Sequence, residues 1–559
     1  MSRSLFAAMA AMATTLFSCA GTCRSQTVPS AYTDLYGQLS GDLNDFSAAI
    51  SSVWSGSTSP VIYAGQLTNA NCNNGAALLN PSTLAIIQTN LLVLKAIGVK
   101  AVSVEVSFPM LYQPFLGSQY NQYVAFYSNV AAAVRAQGFK LIVESQSMMP
   151  SGLQSNAFGN QLQTFYPALT LAQYIAARAS TAAVVAQTMR PDYYVLQEEP
   201  DTEESNSGQP VGQVVNSTAM LNATLAAVAG LVPGMKVGAG FGSWLAAYQK
   251  FANSFTQTGC GSSQPCVTTP LDFLDMHLFP IIENAIECCP GVVCPPPPPA
   301  VTNFWQNALS IVATANAAGM HMTISQTWLR KVRDSEWFIL SDGGDIEEAR
   351  ESYSFWASLD QNFLQILYNL ANYQGMYWVA PFNTQNYSAY LTWSSANAIQ
   401  GDCGGGPSPC GNLTPSQVFA NVQAAAAVNI PQAQYTTTGQ AWHNLIVSPA
   451  DTTAPSQPGG LHAAVFSSSV ILNWSQSTDD VGVAGYQVLR NGTQIATVFP
   501  TSFQDSGLAA NTSYAYQVKA FDLASNVSPP AALAVTTPRP ASLSVSGNVR
   551  ISGRGGTIH

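Results

Sequence analysis

Two kinds of sequence segment alternate along the chain between residues 60 and 390. Short runs rich in valine, isoleucine and aromatic residues alternate with longer alanine-rich segments of helical character. The short runs predict eight strands, at residues 60–67, 100–108, 140–147, 192–199, 236–243, 271–279, 321–328 and 376–383. The longer segments predict helices, among them residues 81–98, 121–138, 170–189, 218–232 and 303–319. Several of these segments end in glycine directly before the next strand, as a helix C-cap would.

Eight strand–helix units in about 330 residues predict an α/β fold, a closed (β/α)8 TIM barrel with its function at the C-terminal ends of the strands. A doubly wound open sheet is the alternative, but it would need a glycine-rich phosphate loop after an early strand. The glycines of GAGFGSW, residues 238–244, match that loop weakly, because neither GK[ST] nor a ribose-binding acid follows them.

Four further segments frame the predicted barrel. Residues 27–59 predict a cap across the barrel bottom or an N-terminal helix, and residues 416–447 are expected to complete the last helix. Residues 280–301 follow strand six and carry PPPPPA, and residues 384–415 follow strand eight. Loops of this length on the active face often shape a cleft.

The texture changes at Asp451, where DTTAPSQPGG leads into about eighty residues of short alternating strands. Residues 452–537, with Trp474, Tyr486, Tyr514 and Tyr516 at core aromatic positions, resemble a bacterial fibronectin type III domain. The resemblance implies a small all-β sandwich, usually a spacer or adhesion module of secreted polysaccharide-degrading enzymes. The predicted divisions are a signal peptide (1–26), the barrel (27–447), a linker (448–456), the fibronectin type III domain (457–537) and a flexible tail (538–559).

Few residues are charged, and the acidic net charge argues against one class of partner. Only 9% of the 559 residues are charged, with 19 Lys+Arg against 29 Asp+Glu, and no basic run predicts a nucleic-acid partner. Arg3 precedes an apolar run that ends at Phe17, which predicts a signal peptide rather than a buried first helix. We therefore expect a secreted monomer without a membrane span. A loose lipobox leaves a lipid anchor at Cys19, and so a periplasmic or outer-surface location, as an alternative.

Eight cysteines follow the leader, and an even number in an exported chain favours disulfides. CGSSQPC and CGGGPSPC predict the pairs Cys260–Cys266 and Cys403–Cys410. A third loop is expected to close within a cysteine cluster, with one member free to reach Cys72. That cluster consists of Cys288, Cys289 and Cys294. Zinc is the alternative ligand, although no histidine lies near these cysteines at ligand spacing.

Polar residues end most of the predicted strands. They are Glu105, Glu144 with Gln146, Gln197 with Glu199, Asp275 with His277, and Gln326 with Trp328. In a barrel these side chains converge, and inward carboxylates push one another's pKa values apart, as acid/base chemistry requires. The stretch VLQEEPDTEE, residues 195–204, concentrates five of the carboxylates. Its later acids, Asp201, Glu203 and Glu204, are expected to form a solvated loop face, with calcium binding as an alternative.

The barrel resembles a clan A glycoside hydrolase. LQEEP places Glu199 on the clan's acid/base position, in the Asn-Glu-Pro-like motif, and puts Glu198 where the asparagine stands. TISQTW puts Gln326 where the clan has its nucleophile glutamate, and DMHLFP and Trp378 resemble further clan features. The resemblance implies hydrolysis of an O-glycosyl bond in an oligosaccharide or polysaccharide, with Glu199 as general acid/base and its pKa raised by Glu198 and burial.

An amide at residue 326 cannot form the covalent ester of a retaining enzyme. The second catalytic carboxylate is therefore expected to be Glu144 or Asp275, with Glu105 as a further choice, and an inverting mechanism is possible. The residues predicted to contact substrate are Glu198, Glu105, Asp275, His277, Trp328, Trp378 and Asn383. Two alternatives stay open. One is a non-catalytic carbohydrate-binding or adhesion protein, and the other a metal-dependent barrel hydrolase with ligands among Glu144, Glu199, Asp275 and His277. The favoured reading needs no cofactor and no metal.

Overall fold

A computed structural model gives the structure of the chain. It describes residues 26–54, 56–150, 158–245, 247–260, 265–279, 304–332, 345–402, 411–447 and 451–539. Outside these residues lie all of the predicted signal peptide except Gln26, including Cys19, and also the Cys403–Cys410 pair, the cluster of Cys288, Cys289 and Cys294, and nearly all of the C-terminal tail.

Eight parallel strands close into a barrel in chain order. They are β1 (Ile62–Gln66), β2 (Ala101–Glu105), β3 (Lys140–Glu144), β4 (Tyr193–Val195), β5 (Lys236–Gly242), β6 (Phe273–His277), β7 (His321–Thr327) and β8 (Trp378–Pro381). The barrel and all eight predicted strands are confirmed, and each strand is shorter than its predicted range. The difference lies mostly at the C-terminal ends, where polar residues leave the sheet to form the loops of the upper face.

Helices surround the barrel. They are α1 (Thr33–Ser51), α2 (Thr83–Ile97), α3 (Gln113–Leu116), α4 (Tyr120–Ala136), α5 (Gly159–Phe165), α6 (Leu171–Met189), α7 (Pro200–Ser207), α8 (Val214–Val228), α9 (Tyr248–Thr256), α10 (Phe304–Ala317), α11 (Asp345–Arg350), α12 (Ala357–Gln374), α13 (Pro415–Asn429) and α14 (Thr437–Ile446). Within the described chain no single helix is long and apolar enough to cross a membrane. The bent pair Asn160–Ala168 and Leu171–Met189 meets those criteria only jointly.

Side chains from several strands fill the barrel interior. Ile142, Tyr193, Phe273 and Trp378 are buried together there, so this level of the barrel is a core and not a pore. Gly238 on β5 makes room for it, because a Cβ at that position would lie 2.1 Å from the ring of Phe273.

Two of the framing segments have defined structures. Residues 27–59 contain α1, the N-terminal helix that was one of two predictions, and Tyr36 on it stacks on Trp356 with ring centroids 5.8 Å apart. Residues 416–447 form two helices where one was predicted. Of these, α14 packs on α12 in the outer ring, whereas α13 belongs to the long connection that follows β8.

The C-terminal strands form the sandwich that the sequence predicts. They are β9 (Gly459–Val465), β10 (Ser469–Ser475), β11 (Gly485–Arg490), β12 (Thr493–Val498), β13 (Ser502–Ser506), β14 (Ser513–Phe521) and β15 (Ala531–Thr536). The sheets have the orders β13-β10-β9 and β12-β11-β14-β15. Trp474, Tyr486 and Tyr516 are buried between them. The division at residues 448–456 stays a prediction.

The sandwich packs directly against the barrel domain. A methyl group on Gly485 would lie 2.3 Å from the Cβ of Ala433, and one on Gly482 would lie 2.4 Å from a backbone oxygen of α2. The backbone N–H of Phe499 donates to the carbonyl of Pro431 at 2.6 Å. Contacts this close leave no room for larger side chains, so this module is not a loosely tethered spacer.

One cysteine prediction is confirmed and one is wrong. Cys260 and Cys266 form a disulfide. Cys72 is a free, buried thiol and forms no disulfide with the cluster. Its sulfur accepts the backbone N–H of Ser107 at 3.2 Å and lies 4.0 Å from Glu105 Oε1, so it packs among the polar groups at the end of β2.

Candidate active site

A cavity of about 560 Å³ lies over the C-terminal ends of the barrel strands. Glu105 ends β2, Gln146 and Glu199 follow β3 and β4, and Gln326 lies near the end of β7, and all four line this cavity. The carboxyl ends of parallel strands meet at one face of a barrel, so residues far apart in sequence converge there.

The end of β4 sends three consecutive side chains in different directions. The strand stops at Val195, so the inward and outward alternation expected for residues 192–199 does not continue. Gln197 points outward and donates to Ser217 on α8 at 2.7 Å. Glu198 points inward, and Glu199, directly before the Pro200 that begins α7, reaches the cavity.

Glu199 is paired with a histidine. His277 Nδ1 lies 2.5 Å from Glu199 Oε1. Burial acts to raise the pKa of Glu199, but the charge and hydrogen bond of His277 outweigh it and lower that pKa below its ordinary value, with help from Arg330. Although burial disfavours the imidazolium, Glu199 and neighbouring carboxylates raise the pKa of His277 to about 9. The prediction that Glu198 and burial raise the pKa of Glu199 is therefore wrong.

The histidine belongs to a longer hydrogen-bond chain. His277 Nε2 lies 2.7 Å from Ser325 Oγ, and Ser325 Oγ in turn donates to Asp275 Oδ2. Asp275 also accepts Thr323 Oγ1 at 2.6 Å. Asp275 is fully buried and does not line the cavity, so its role here is to orient Ser325 and the imidazole rather than to reach a substrate.

Glu198 is buried beneath the cavity. Its Oε2 accepts the side-chain amides of Gln146 at 3.2 Å and Gln326 at 3.3 Å, while its Oε1 has no hydrogen-bond partner among the residues that the structure describes. Burial, followed by the charges of Glu105 and Glu144, raises the pKa of Glu198 well above its ordinary value. Glu198 does not line the cavity as a substrate contact would.

Glu144 has the same character. It accepts Gln66 Nε2 at 2.9 Å, Gln326 Nε2 at 2.8 Å, and the hydroxyl of Ser103. Burial raises its pKa to about 8 against these donors. Glu144 is fully buried and does not line the cavity, so the carboxylate nominated as second catalytic group lies one layer below the place where a substrate could bind.

Glu105 is the carboxylate from β2 that does line the cavity. It accepts Asn71 Nδ2 at 2.6 Å, Asn73 Nδ2 at 3.3 Å and Ser107 Oγ at 2.9 Å. Burial raises its pKa despite these donors, and the charge of Glu199 adds to the effect. Glu105 and Glu199 thus share one cavity, while their pKa values move in opposite directions.

Two groups of side chains in the described residues have metal-ligand spacing, one formed by Asp451, Asp479 and Asp480 and one in the barrel. The barrel group is the one near the cavity. Ligand atoms of Glu144, Glu198 and His277 all lie within 4.8 Å of one another. The predicted set differed, because it contained Glu199 and Asp275 in place of Glu198. The amide of Gln326 donates to both glutamates of this group, so hydrogen-bond donors already serve the carboxylates that a cation would need. We assign it no metal.

The predicted aromatic contacts divide into two groups. Trp328 and Phe279 line the cavity, as does Asn383. Trp328 Nε1 donates to Glu351 Oε2 at 2.9 Å, which holds the ring in place. Trp378 is fully buried in the barrel interior and offers no face to a sugar, so the structure contradicts the contact predicted for it.

The sequence reasoning missed cavity residues that follow β7. Arg330 lies over the ring of Phe279, with its guanidinium carbon 4.7 Å from the ring centre, and forms an ion pair with Glu347. Glu351, whose pKa burial raises to about 7, also lines the cavity and accepts Lys331 at 2.9 Å. The acid-rich stretch around these glutamates was the available signal.

The later acids of VLQEEPDTEE do not form a solvated loop. They belong to α7, where Glu203 is fully buried in an ion pair with Arg178 at 2.7 Å and accepts Tyr174 at 2.6 Å. Asp201 accepts the indole N–H of Trp244 at 2.9 Å. The prediction was wrong because helical spacing turns these acids toward the protein.

No protein-family model matches the chain. Exoglucanase B of Cellulomonas fimi is 55% identical over 89 residues, which is 16% of this chain and 8% of that protein. Chitinase C of Streptomyces lividans is 48% identical over 86 residues, 15% of this chain and 14% of that protein. An alpha-amylase of Niallia circulans is 41% identical over 137 residues, 23% of this chain and 11% of that protein. The chain therefore spans only a small part of these relatives.

Solved structures give weaker likenesses. Virulence factor SghA from Agrobacterium tumefaciens is 12% identical, with a TM-score of 0.39, over 68% of this chain and 99% of that chain. The structure titled FN3tt is 22% identical, with a TM-score of 0.15, over 16% of this chain and 100% of that chain. Scores this low establish no relationship. The part that the chain shares with these relatives is a fibronectin type III domain, and the barrel that precedes it carries the cavity.

Proposed function

We propose that the chain is a secreted glycoside hydrolase that acts on an oligosaccharide or polysaccharide. The observation that carries the proposal is the pairing of Glu105 and Glu199 in one cavity at the carboxyl ends of the barrel strands. Aromatic rings and amide side chains surround these carboxylates, a lining that suits the apolar faces and the hydroxyls of a sugar.

The two carboxylates divide the proton transfers. Glu105, whose pKa burial raises, gives its proton to the glycosidic oxygen as the bond to the anomeric carbon breaks. Glu199, ionised beside His277, takes a proton from the water that attacks that carbon. This single displacement needs no covalent intermediate, so it tolerates an amide at residue 326. The assignment reverses the acid role that the clan resemblance implied for Glu199.

A non-catalytic carbohydrate-binding protein is the second candidate, and the Gln326 amide favours it. In this alternative Glu199 and Gln326 hydrogen-bond sugar hydroxyls, and no bond is cleaved. An extracellular location is compatible with both candidates. The fibronectin type III relatives are named exoglucanase, chitinase and alpha-amylase, so we propose an extracellular site of action on carbohydrate.

The test compares the full-length protein with Glu105→Gln and Glu199→Gln on a panel of plant and microbial polysaccharides and oligosaccharides. Glu204→Gln is the matched control, because that residue lies on α7 outside the cavity lining. The hydrolase is supported if Glu105→Gln and Glu199→Gln each reduce cleavage at least a hundredfold and Glu204→Gln does not. Cleavage that survives in both variants contradicts it.

Two further arms separate the alternatives. Binding without cleavage by the wild type, followed by activity in the exchange variant Glu198→Gln with Gln326→Glu, supports the binding protein. The exchange is made as a pair because these two side chains share a hydrogen bond of 3.3 Å. Activity that a chelator removes would favour a metal-dependent hydrolase instead.

A further inference from the structure

The cavity is divided into a polar and an apolar part. Charged and amide side chains crowd the strand ends, where Glu105 and Glu199 lie. The cavity then continues sideways between helices α2 and α13. None of the side chains that these helices and the following turn Ile430–Gln432 contribute is charged, and most are apolar. We call this continuation the side groove, and Ile86, Val93, Phe419, Ala426, Ile430 and Pro431 define it.

Both walls of the side groove are held by the C-terminal sandwich. Phe499 of the sandwich donates its backbone N–H to Pro431, next to Ile430 in the wall, and Gly485 packs against Ala433 just beyond. On the other wall, Gly482 lies against the carboxyl end of α2. The groove is thus fixed by the packing of two folded units, and a ligand need not order it on binding.

We propose, on the basis of the proposed function, that the substrate is a glycoside with an apolar aglycone. The sugar lies at the strand ends beside Glu199, and an alkyl or aryl aglycone lies in the side groove. The reaction that supplies such a substrate attaches a sugar to an apolar alcohol or phenol, and the products of hydrolysis are the free sugar and that alcohol.

The chemistry of the groove favours this occupant over a longer sugar chain. Each further sugar unit brings several hydroxyls, and burying a hydroxyl without a hydrogen-bond partner is unfavourable. The walls hold three polar side chains, Thr89, Asn90 and Gln423. The apolar majority, such as Ile86, Val93 and Ala426, offers no hydrogen bonds and loses water favourably against a hydrocarbon. Ile86 is 46% exposed, and this is apolar surface that an aglycone would cover.

The test uses alkyl glycosides of glucose, galactose, mannose, xylose and N-acetylglucosamine. For each sugar the alkyl chain is lengthened from methyl to octyl, and all concentrations stay below the critical micelle concentration. Binding by calorimetry and hydrolysis are measured on the full-length wild type. Affinity and kcat/KM should rise roughly two- to fourfold for each methylene until the groove is filled. Ala426→Phe should cut the octyl-to-methyl ratio by about tenfold or more, because its ring occupies the groove. Ala424→Phe is the control, since it lies on the same helix outside the cavity lining.

Three results overturn the inference, and they differ in what they leave standing. If binding and hydrolysis do not depend on alkyl length, and both phenylalanine variants behave alike, the aglycone site is refuted but the hydrolase proposal stands. If affinity or kcat/KM rises with each sugar added to an unsubstituted oligosaccharide, and Ala426→Phe abolishes that rise, the side groove binds a sugar chain instead of an aglycone. If no glycoside binds or reacts, the proposed function fails and the inference fails with it.

Discussion

The buried carboxyl of Glu144 makes stability depend on pH. In the folded chain its pKa is about 8, against an ordinary value of 4.5, because burial disfavours the charge. The folded state therefore holds this proton more tightly than the unfolded state, and stability should fall as pH rises from 4.5 through about 8. In Glu144→Gln a neutral amide replaces the protonated acid, and this part of the pH dependence should disappear.

The magnitude follows from the two pKa values. Each unit between 4.5 and about 8 corresponds to about 1.4 kcal/mol, so the group accounts for a loss on the order of 5 kcal/mol across that range. Glu198 acts in the same direction, because its pKa is also raised. His277 adds a further loss as pH rises from 6.5 toward 9, since its folded pKa is raised to about 9. The variant should therefore keep part of the slope.

The assay is equilibrium urea unfolding of the barrel at pH 5 and pH 8, at equal ionic strength, for the wild type, Glu144→Gln and the control Glu204→Gln. The wild type and the control should both lose several kcal/mol between the two pH values, and Glu144→Gln should lose distinctly less. An identical slope in Glu144→Gln and the wild type would refute the reasoning, because it would mean that Glu144 is ionised in the folded state throughout.

Three other substitutions test separate contacts. His277→Gln removes the cation beside Glu199, so burial should raise the pKa of that carboxylate and move the acid limb of kcat/KM to higher pH; an unmoved limb would count against the pairing. Gly485→Ala should lower the free energy of unfolding by about 1–3 kcal/mol through overpacking at the interface, whereas Gly459→Ala, with room for its methyl group, should change it by less than about 0.5 kcal/mol. Glu203→Gln leaves a buried arginine without its anion and should cost about 3–5 kcal/mol in urea unfolding; a cost below about 1 kcal/mol would show that the ion pair is not needed.

The barrel could be predicted from the sequence because a buried parallel strand and its covering helix have different apolar periods. Runs such as 140–147 can be buried on both faces only in a sheet covered by helices. The same signal does not locate strand ends, because β4 stops at Val195 while the apolar and polar pattern continues for four more residues. The close packing of the sandwich on Ala433 and α2 was also invisible, since small residues at an interface leave no periodic signal.

The site could be predicted only as a set of acids near the strand ends. Which carboxylate faces the cavity depends on backbone turns after the strands, and these placed Glu198 below it and Glu199 in it. The direction of the Glu199 pKa depends on His277, which is 78 residues away in sequence. No local pattern contains such a distance, so a rule based on neighbouring acids gave the wrong sign.

The two positions at which the sequence differs from the clan motif that it resembles are in contact with each other. The motif has an amide before the acid/base glutamate and a carboxylate on strand seven, whereas this chain has Glu198 and Gln326, and these two side chains share a hydrogen bond. An amide and a carboxyl have changed places within one pair. A glutamate at residue 326 alone would put a third carboxyl against Glu198 and Glu144, in the place where the amide of Gln326 donates a hydrogen bond to each of them. Glutamine at residue 326 therefore supplies hydrogen-bond donors to both carboxyls, which an ionised glutamate there could not do, since it only accepts.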